Sequence, residues 1–127
     1  MRRLAALVVA LLTLTLAACG GDDASTPAPA GPPVEVAEGT TVIDVRTPEE
    51  FAEGHLEGAV NIDLSAPDFA DRVGELDPAG AYVVYCRSGN RSAAAVEEMA
   101  DLGFTDLTDV GGVDEAAEAT GLAIVTD

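Results

Sequence analysis

Cys86 is one of two cysteines in the 127-residue chain, and its neighbours suit a charged sulfur. Arg87, Ser88, Gly89, Asn90, Arg91 and Ser92 follow it. Glycine adopts φ > 0 at no steric cost, and asparagine tolerates the same region. The amide N–H groups of such a turn can converge on an anion. A helix beginning near Arg91 and Ser92 aims its unpaired N–H groups and positive dipole end at the same spot. Arg87 and Arg91 add two full charges. All of this favours thiolate, the reactive form of cysteine. The plain alternative is an inert core cysteine, since free cysteines are commonly buried. Against it, two of only six arginines stand in this loop.

The elements that must position Cys86 follow from hydrophobic period and punctuation. Residues 81–85, AYVVY, form a nearly continuous apolar run, as expected of a central parallel strand covered on both faces. The spacing of Ala95, Val96, Met99 and Leu102 predicts a helix over 91–102, with Gly103 as its stop. Upstream, strands are predicted at 41–45 and 58–63. Between them lies a short helix that Pro48 opens and Gly54 ends. A helix over 66–76, a strand over 105–110 and a helix over 113–119 complete the alternation, and residues 34–41 offer one more strand. Strands alternating with helices imply an α/β fold: a central, mostly parallel sheet flanked by helices on both faces. Ligands of such sheets sit beyond the carboxyl ends of the strands, and Cys86 lies at one such end.

The N-terminal segment has a different character. Arg2 and Arg3 precede an apolar run from Leu4 to Ala18. That run is shorter than the about 20 residues of a spanning helix and suits a secretory signal segment. Leu16-Ala17-Ala18-Cys19 resembles the lipobox of bacterial lipoproteins. The resemblance implies that residues 1–18 are a lipoprotein signal peptide and that Cys19 is acylated. The domain would then face the extracytoplasmic side of a bacterial cell envelope. Residues 19–33, rich in Gly, Pro and Ala, read as a flexible tether. Residues 34–127 are left as one domain, large enough for a single core.

Aspartate and glutamate total 23 against six arginines and no lysine, a net charge of −17. Nucleic acid is bound through clustered Lys and Arg, so it is not an expected partner. Anionic lipid attracts polybasic segments, so membrane contact is expected through the lipid anchor only.

Three motifs carry a second resemblance: Asp44-Val45-Arg46, the run Gly54–Ile62 (GHLEGAVNI), and the loop from Cys86 to Arg91. Together they resemble a single-domain rhodanese, a thiosulfate sulfurtransferase-like protein, over about residues 42–122. The resemblance implies a rhodanese-like α/β domain in which Cys86 is the catalytic residue. Cys86 would take sulfane sulfur from a small anionic donor such as thiosulfate, become a persulfide, and pass the sulfur to a thiol or cyanide. Backbone amides of the loop from Arg87 through Ser92 would cradle the sulfur, and Arg87 and Arg91 would attract the donor. No cofactor and no metal is implied. Tyrosine phosphatases and arsenate reductases use a loop one residue longer between cysteine and arginine.

Asp44 and Arg46 are expected to support the site, Asp44 by bonding loop amides and Arg46 by pairing with Glu49 or Glu50. His55, the single histidine, is expected to fix a turn by a hydrogen bond. The alternative from another class is a non-enzymatic, membrane-tethered module that binds sulfur or a protein partner. Two departures from the family pattern stand at the C-terminal end: there is no tryptophan, and Ala123 occupies a place where proline is usual. They predict thinner packing there.

Overall fold

A computed structural model of the chain describes residues 33–126. The expected signal peptide, Cys19 and the tether up to residue 32 lie outside the described residues. In chain order the elements are β1 (Thr41–Asp44), α1 (Pro48–Glu53), β2 (His55–Leu56), β3 (Val60–Asn61) and α2 (Phe69–Gly74). There follow β4 (Ala81–Cys86), α3 (Asn90–Asp101), β5 (Asp106–Gly112), α4 (Val113–Thr120) and β6 (Ile124–Val125). Strands β3, β1, β4 and β5 form one sheet in that order, every pair parallel. The expected α/β architecture is the one observed.

Period-two alternation along β1 and β4 divides the core into two layers. Ile43, Val45, Tyr82, Val84 and Cys86 point to one side, where Phe69 and Val73 of α2 and Ala95 and Met99 of α3 cover them. Val42, Val83 and Tyr85 point to the other, against Leu56 and Ala116 of α4. Both central strands are therefore buried on two faces, which explains their unbroken apolar run. Because β1 and β4 are hydrogen-bonded neighbours with Asp44 opposite Tyr85, the two sequence motifs at their carboxyl ends become adjacent.

Three sequence expectations are corrected. Residues 34–40 form no strand; Val34 instead donates its N–H to the Ala119 carbonyl at 2.8 Å. Leu102, assigned to the apolar face of α3, is about half exposed at 47%. Ser92 takes a place on that buried face instead, because the helix starts at Asn90 and its first turn already lies on the sheet. The small antiparallel ribbon of β2 with β6 was not anticipated. Two-residue strands are too short to show a period. At the C-terminal end Ile124 remains 47% exposed, in line with the thinner packing expected there.

Met99 is wholly buried between α3 and the sheet. Met99→Ala is expected to cost about 2–5 kcal/mol by lost transfer energy and a residual cavity. Urea unfolding should show a lower midpoint with an unchanged slope.

Candidate functional site

Cys86 is the last residue of β4 and has no exposed surface. Only three residues separate it from Asn90, the first residue of α3. So short a strand-to-helix reversal requires a backbone that L side chains rarely adopt, and Gly89 supplies it at φ +97°. The turn brings the Gly89 N–H to 2.9 Å from the Cys86 sulfur. The sulfur also meets the Ser92 hydroxyl at 3.5 Å. Burial pushes the Cys86 thiol up. The Ser92 hydroxyl and the backbone N–H groups of Ser92, Ser88 and Gly89 more than offset that, leaving it below its ordinary value. The six-residue loop thus supplies the main-chain donors that its composition led one to expect.

The two loop arginines differ in their surroundings. Arg91 reaches α1 and forms a bidentate ion pair with Glu50, Nη1 to Oε2 at 2.7 Å and Nη2 to Oε1 at 2.9 Å. Glu50 is held for that contact by its own helix start. Its Oε2 accepts from the Thr47 N–H at 3.0 Å, while the Thr47 hydroxyl accepts from the Glu50 N–H, a reciprocal capping box. Arg91 holds the Glu50 carboxyl down to about 2, burial opposing and the Thr47 N–H assisting. Arg87 is exposed, and no ion pair engages it among the described residues. Of the two arginines expected to attract a donor, Arg91 is thus held by Glu50.

Beneath the loop, Asp44 and Arg46 pair with each other. Arg46 Nη2 lies 2.6 Å from Asp44 Oδ2, and the Arg46 amide donates to Asp44 Oδ1 at 2.8 Å. Asp44 thus bonds a loop amide as expected, but Arg46 pairs with Asp44 and not with Glu49 or Glu50. Arg46 also donates to the Gly54 carbonyl at 2.5 Å and stands over the Tyr85 ring, 5.7 Å from its centroid. The Tyr85 hydroxyl accepts from the Leu56 N–H at 3.0 Å. Together these contacts tie the ends of β1 and β4 to β2. His55 is buried; its Nδ1 donates to the Phe51 carbonyl at 2.8 Å and its ring stacks on Phe51 at 3.7 Å. That is the turn-fixing bond anticipated for it.

The double glycine of β5 completes the site. Between Val84 and Cys86 the β4–β5 register slips by one residue, β5 carrying the extra one. The slip lays Gly112 against the Cys86 loop so closely that a Cβ there would sit 2.6 Å from the Arg87 carbonyl oxygen. Asp109, paired in register with Val84 just before the slip, shares the α3-facing side of the sheet, and its Oδ1 lies 2.7 Å from Ser92 Oγ. No cluster of His, Cys, Asp and Glu suited to a metal occurs among the described residues.

Comparison with known proteins bears on this geometry. Residues 34–119 match the family model of the rhodanese-like domain. The chain belongs to the rhodanese-like family. It is 33% identical over 75 residues to the thiosulfate sulfurtransferase PspE of Escherichia coli, covering 59% of this chain and 72% of that protein. It is 36% identical over 83 residues to the thiosulfate sulfurtransferase GlpE of Pseudomonas putida, covering 65% and 74%. Among solved structures, a rhodanese with anions from E. coli is similar at 30% identity and a TM-score of 0.57, covering 69% of this chain and 99% of that one.

Two residues of this rhodanese-like site escaped the sequence reading. Glu50 was seen only as a partner for Arg46, and Asp109 was not singled out. Asp109 had one available signal, a charged residue at the carboxyl end of a strand just before a double glycine.

The Glu50–Arg91 pair has a consequence for acid stability. Its glutamate titrates at about 2 in the folded chain, below the ordinary range near 4.3. The contribution is complete above about pH 4.3 and is lost as pH falls through about 2. Glu50→Gln should remove about 0.5–1 kcal/mol at neutral pH, the pair being partly exposed. It should also flatten the decline in urea midpoint between about pH 4.3 and 2, which unfolding at stepped pH would measure.

Proposed function

We propose that this chain is a sulfurtransferase that moves sulfane sulfur from thiosulfate or a similar anionic donor to a thiol or cyanide through a Cys86 persulfide. The observation that supports this most directly is the Cys86 sulfur itself. It ends a central strand, accepts from the Gly89 N–H at 2.9 Å, and is held below the ordinary thiol range by its loop. Membership of a family whose curated relatives include thiosulfate sulfurtransferases supports the same reading.

In the first half-reaction the Cys86 thiolate attacks the outer sulfur of thiosulfate. A bond forms between Sγ and that sulfur, the bond to the sulfonate sulfur breaks, and sulfite leaves with the electron pair. The charge now rests on the outer sulfur, where the main-chain N–H groups of the loop can stabilise it. In the second half-reaction cyanide or a thiolate attacks the outer sulfur, and the pair of the breaking S–S bond returns to Sγ. Exposed Arg87 is the cation left to meet the approaching donor, while Arg91 braces the loop through Glu50. We further propose that lipid on Cys19 anchors this domain to the outside of a bacterial membrane. The tether of residues 19–33 would let it meet small solutes there.

Thiocyanate formation from thiosulfate and cyanide tests the reading. The parent chain should turn over, and Cys86→Ser should fall to the uncatalysed rate. Exposure to thiosulfate alone should leave the Cys86 peptide one sulfur heavier by mass spectrometry. Equal background from parent and variant, with no added sulfur, would leave only the non-enzymatic module.

The net charge of −17 gives a further expectation. It repels a dianion over distances that salt shortens to about 8 Å at physiological strength. Initial rates at sub-saturating thiosulfate should therefore rise as salt is added from low ionic strength. A steady fall would show that attraction by Arg87 dominates instead.

A further inference from the structure

The Ser92 hydroxyl has more acceptors than it can serve. It is wholly buried, and its one hydrogen is sought by Asp109 Oδ1 at 2.7 Å, the Gly89 carbonyl at 3.0 Å and the Gly111 carbonyl at 3.5 Å. The Cys86 sulfur lies 3.5 Å away on the same oxygen. Of the four, a carboxylate is the strongest acceptor and makes the shortest contact. With the hydrogen on Asp109, Ser92 can only accept from Cys86. That arrangement suits a thiol, which donates, and it fails a thiolate, which needs a donor. We propose that Asp109 is a positioning residue for Cys86. It holds the Ser92 hydrogen away from the sulfur while Sγ is neutral, and yields it to Sγ when the sulfur is charged.

Regular pairing with Val84 places Asp109 on the α3 side of the sheet, and the Gly111 N–H, within the slipped segment, fixes it by donating to the same Oδ1 at 2.9 Å. Asp109 is exposed whereas the sulfur is not, so the chain of three groups also joins a buried proton to solvent. Loss of the Cys86 proton balances along it. The S–H proton passes to the Ser92 oxygen, that oxygen's own hydrogen passes to the Asp109 carboxylate, and Asp109 releases it to water. Ser92 then donates to the thiolate. The other charged groups around this end of the sheet are Arg87 and Arg91 of the loop, Glu50 behind Arg91, Asp44 on β1 with its partner Arg46, and Glu115 on α4, whose carboxylate accepts from Gly112.

The inference rests on Cys86 being the reacting sulfur, but its test needs no sulfur transfer. Iodoacetamide alkylation of the full-length chain is followed against pH on the Cys86 peptide by mass spectrometry, which keeps Cys19 apart. Asp109→Asn should lower the midpoint by about one pH unit, because the neutral amide competes less for the hydrogen. Its limiting rate at high pH should fall about threefold, since nucleophilicity declines with basicity. Ser92→Ala should raise the midpoint, and in that background Asp109→Asn should shift it by less than a third as much. Should the amide weaken folding, Asp109→Val, which suits a strand, repeats the cycle. No shift in either Asp109 variant, or an equal shift with and without Ser92, overturns the proposal. A parent that alkylates as described yet forms no thiocyanate would overturn the proposed function and leave this one standing.

Discussion

A buried sulfur whose charged form is favoured relative to an ordinary thiol must be given hydrogen-bond donors, and the turn around Cys86 answers that requirement. Cys86 is wholly buried at the end of the central strand β4, where an unsolvated charge would be costly. Main-chain N–H groups are the donors that add no bulk. To aim several of them at one atom, the chain must leave a strand and enter a helix within three residues. That geometry explains Gly89 in the turn and the small Ser92 beneath the first helical turn. It also explains Gly112, where the neighbouring strand comes too close for any side chain.

The charges around the loop act mainly as braces. Arg91 is bound to Glu50 and Arg46 to Asp44, so the paired charges cross-link α3 to α1 and the end of β1 to the chain after it. The glutamate that caps α1 is the same one that holds Arg91. The start of one helix thereby becomes coupled to the shape of the Cys86 loop. Arg87 and Arg72 are exposed in a chain whose net charge is −17, and Arg87 immediately follows Cys86. Ser92 connects this frame to β5 through Asp109. All four strands of the main sheet therefore touch the site or the residues that hold it, because Asn61 of β3 donates to the Arg46 carbonyl at 2.9 Å.

Much of this was legible from local chemistry. The apolar runs, the Pro48 start, the Gly-containing loop and the placement of Cys86 at a strand end each reflect constraints acting within a few residues, and local sequence records such constraints. The α/β alternation followed from them, and so did the anion-favouring turn after Cys86. The short β2–β6 ribbon and the absent strand at 34–40 were not legible, since pairing of so few residues depends on which segments tertiary packing brings together.

The sequence by itself determined the turn around Cys86, because a strand, a glycine turn and a helix start are written in adjacent positions. Tertiary structure alone decided the partners. Whether Glu50 meets Arg46 or Arg91, 41 positions away, depends on how α1 is carried against α3. Whether Asp109 reaches Ser92 depends on the register in which β5 pairs with β4. Charges and hydroxyls pair through space over about 3 Å, and distance along the chain does not fix distance in space.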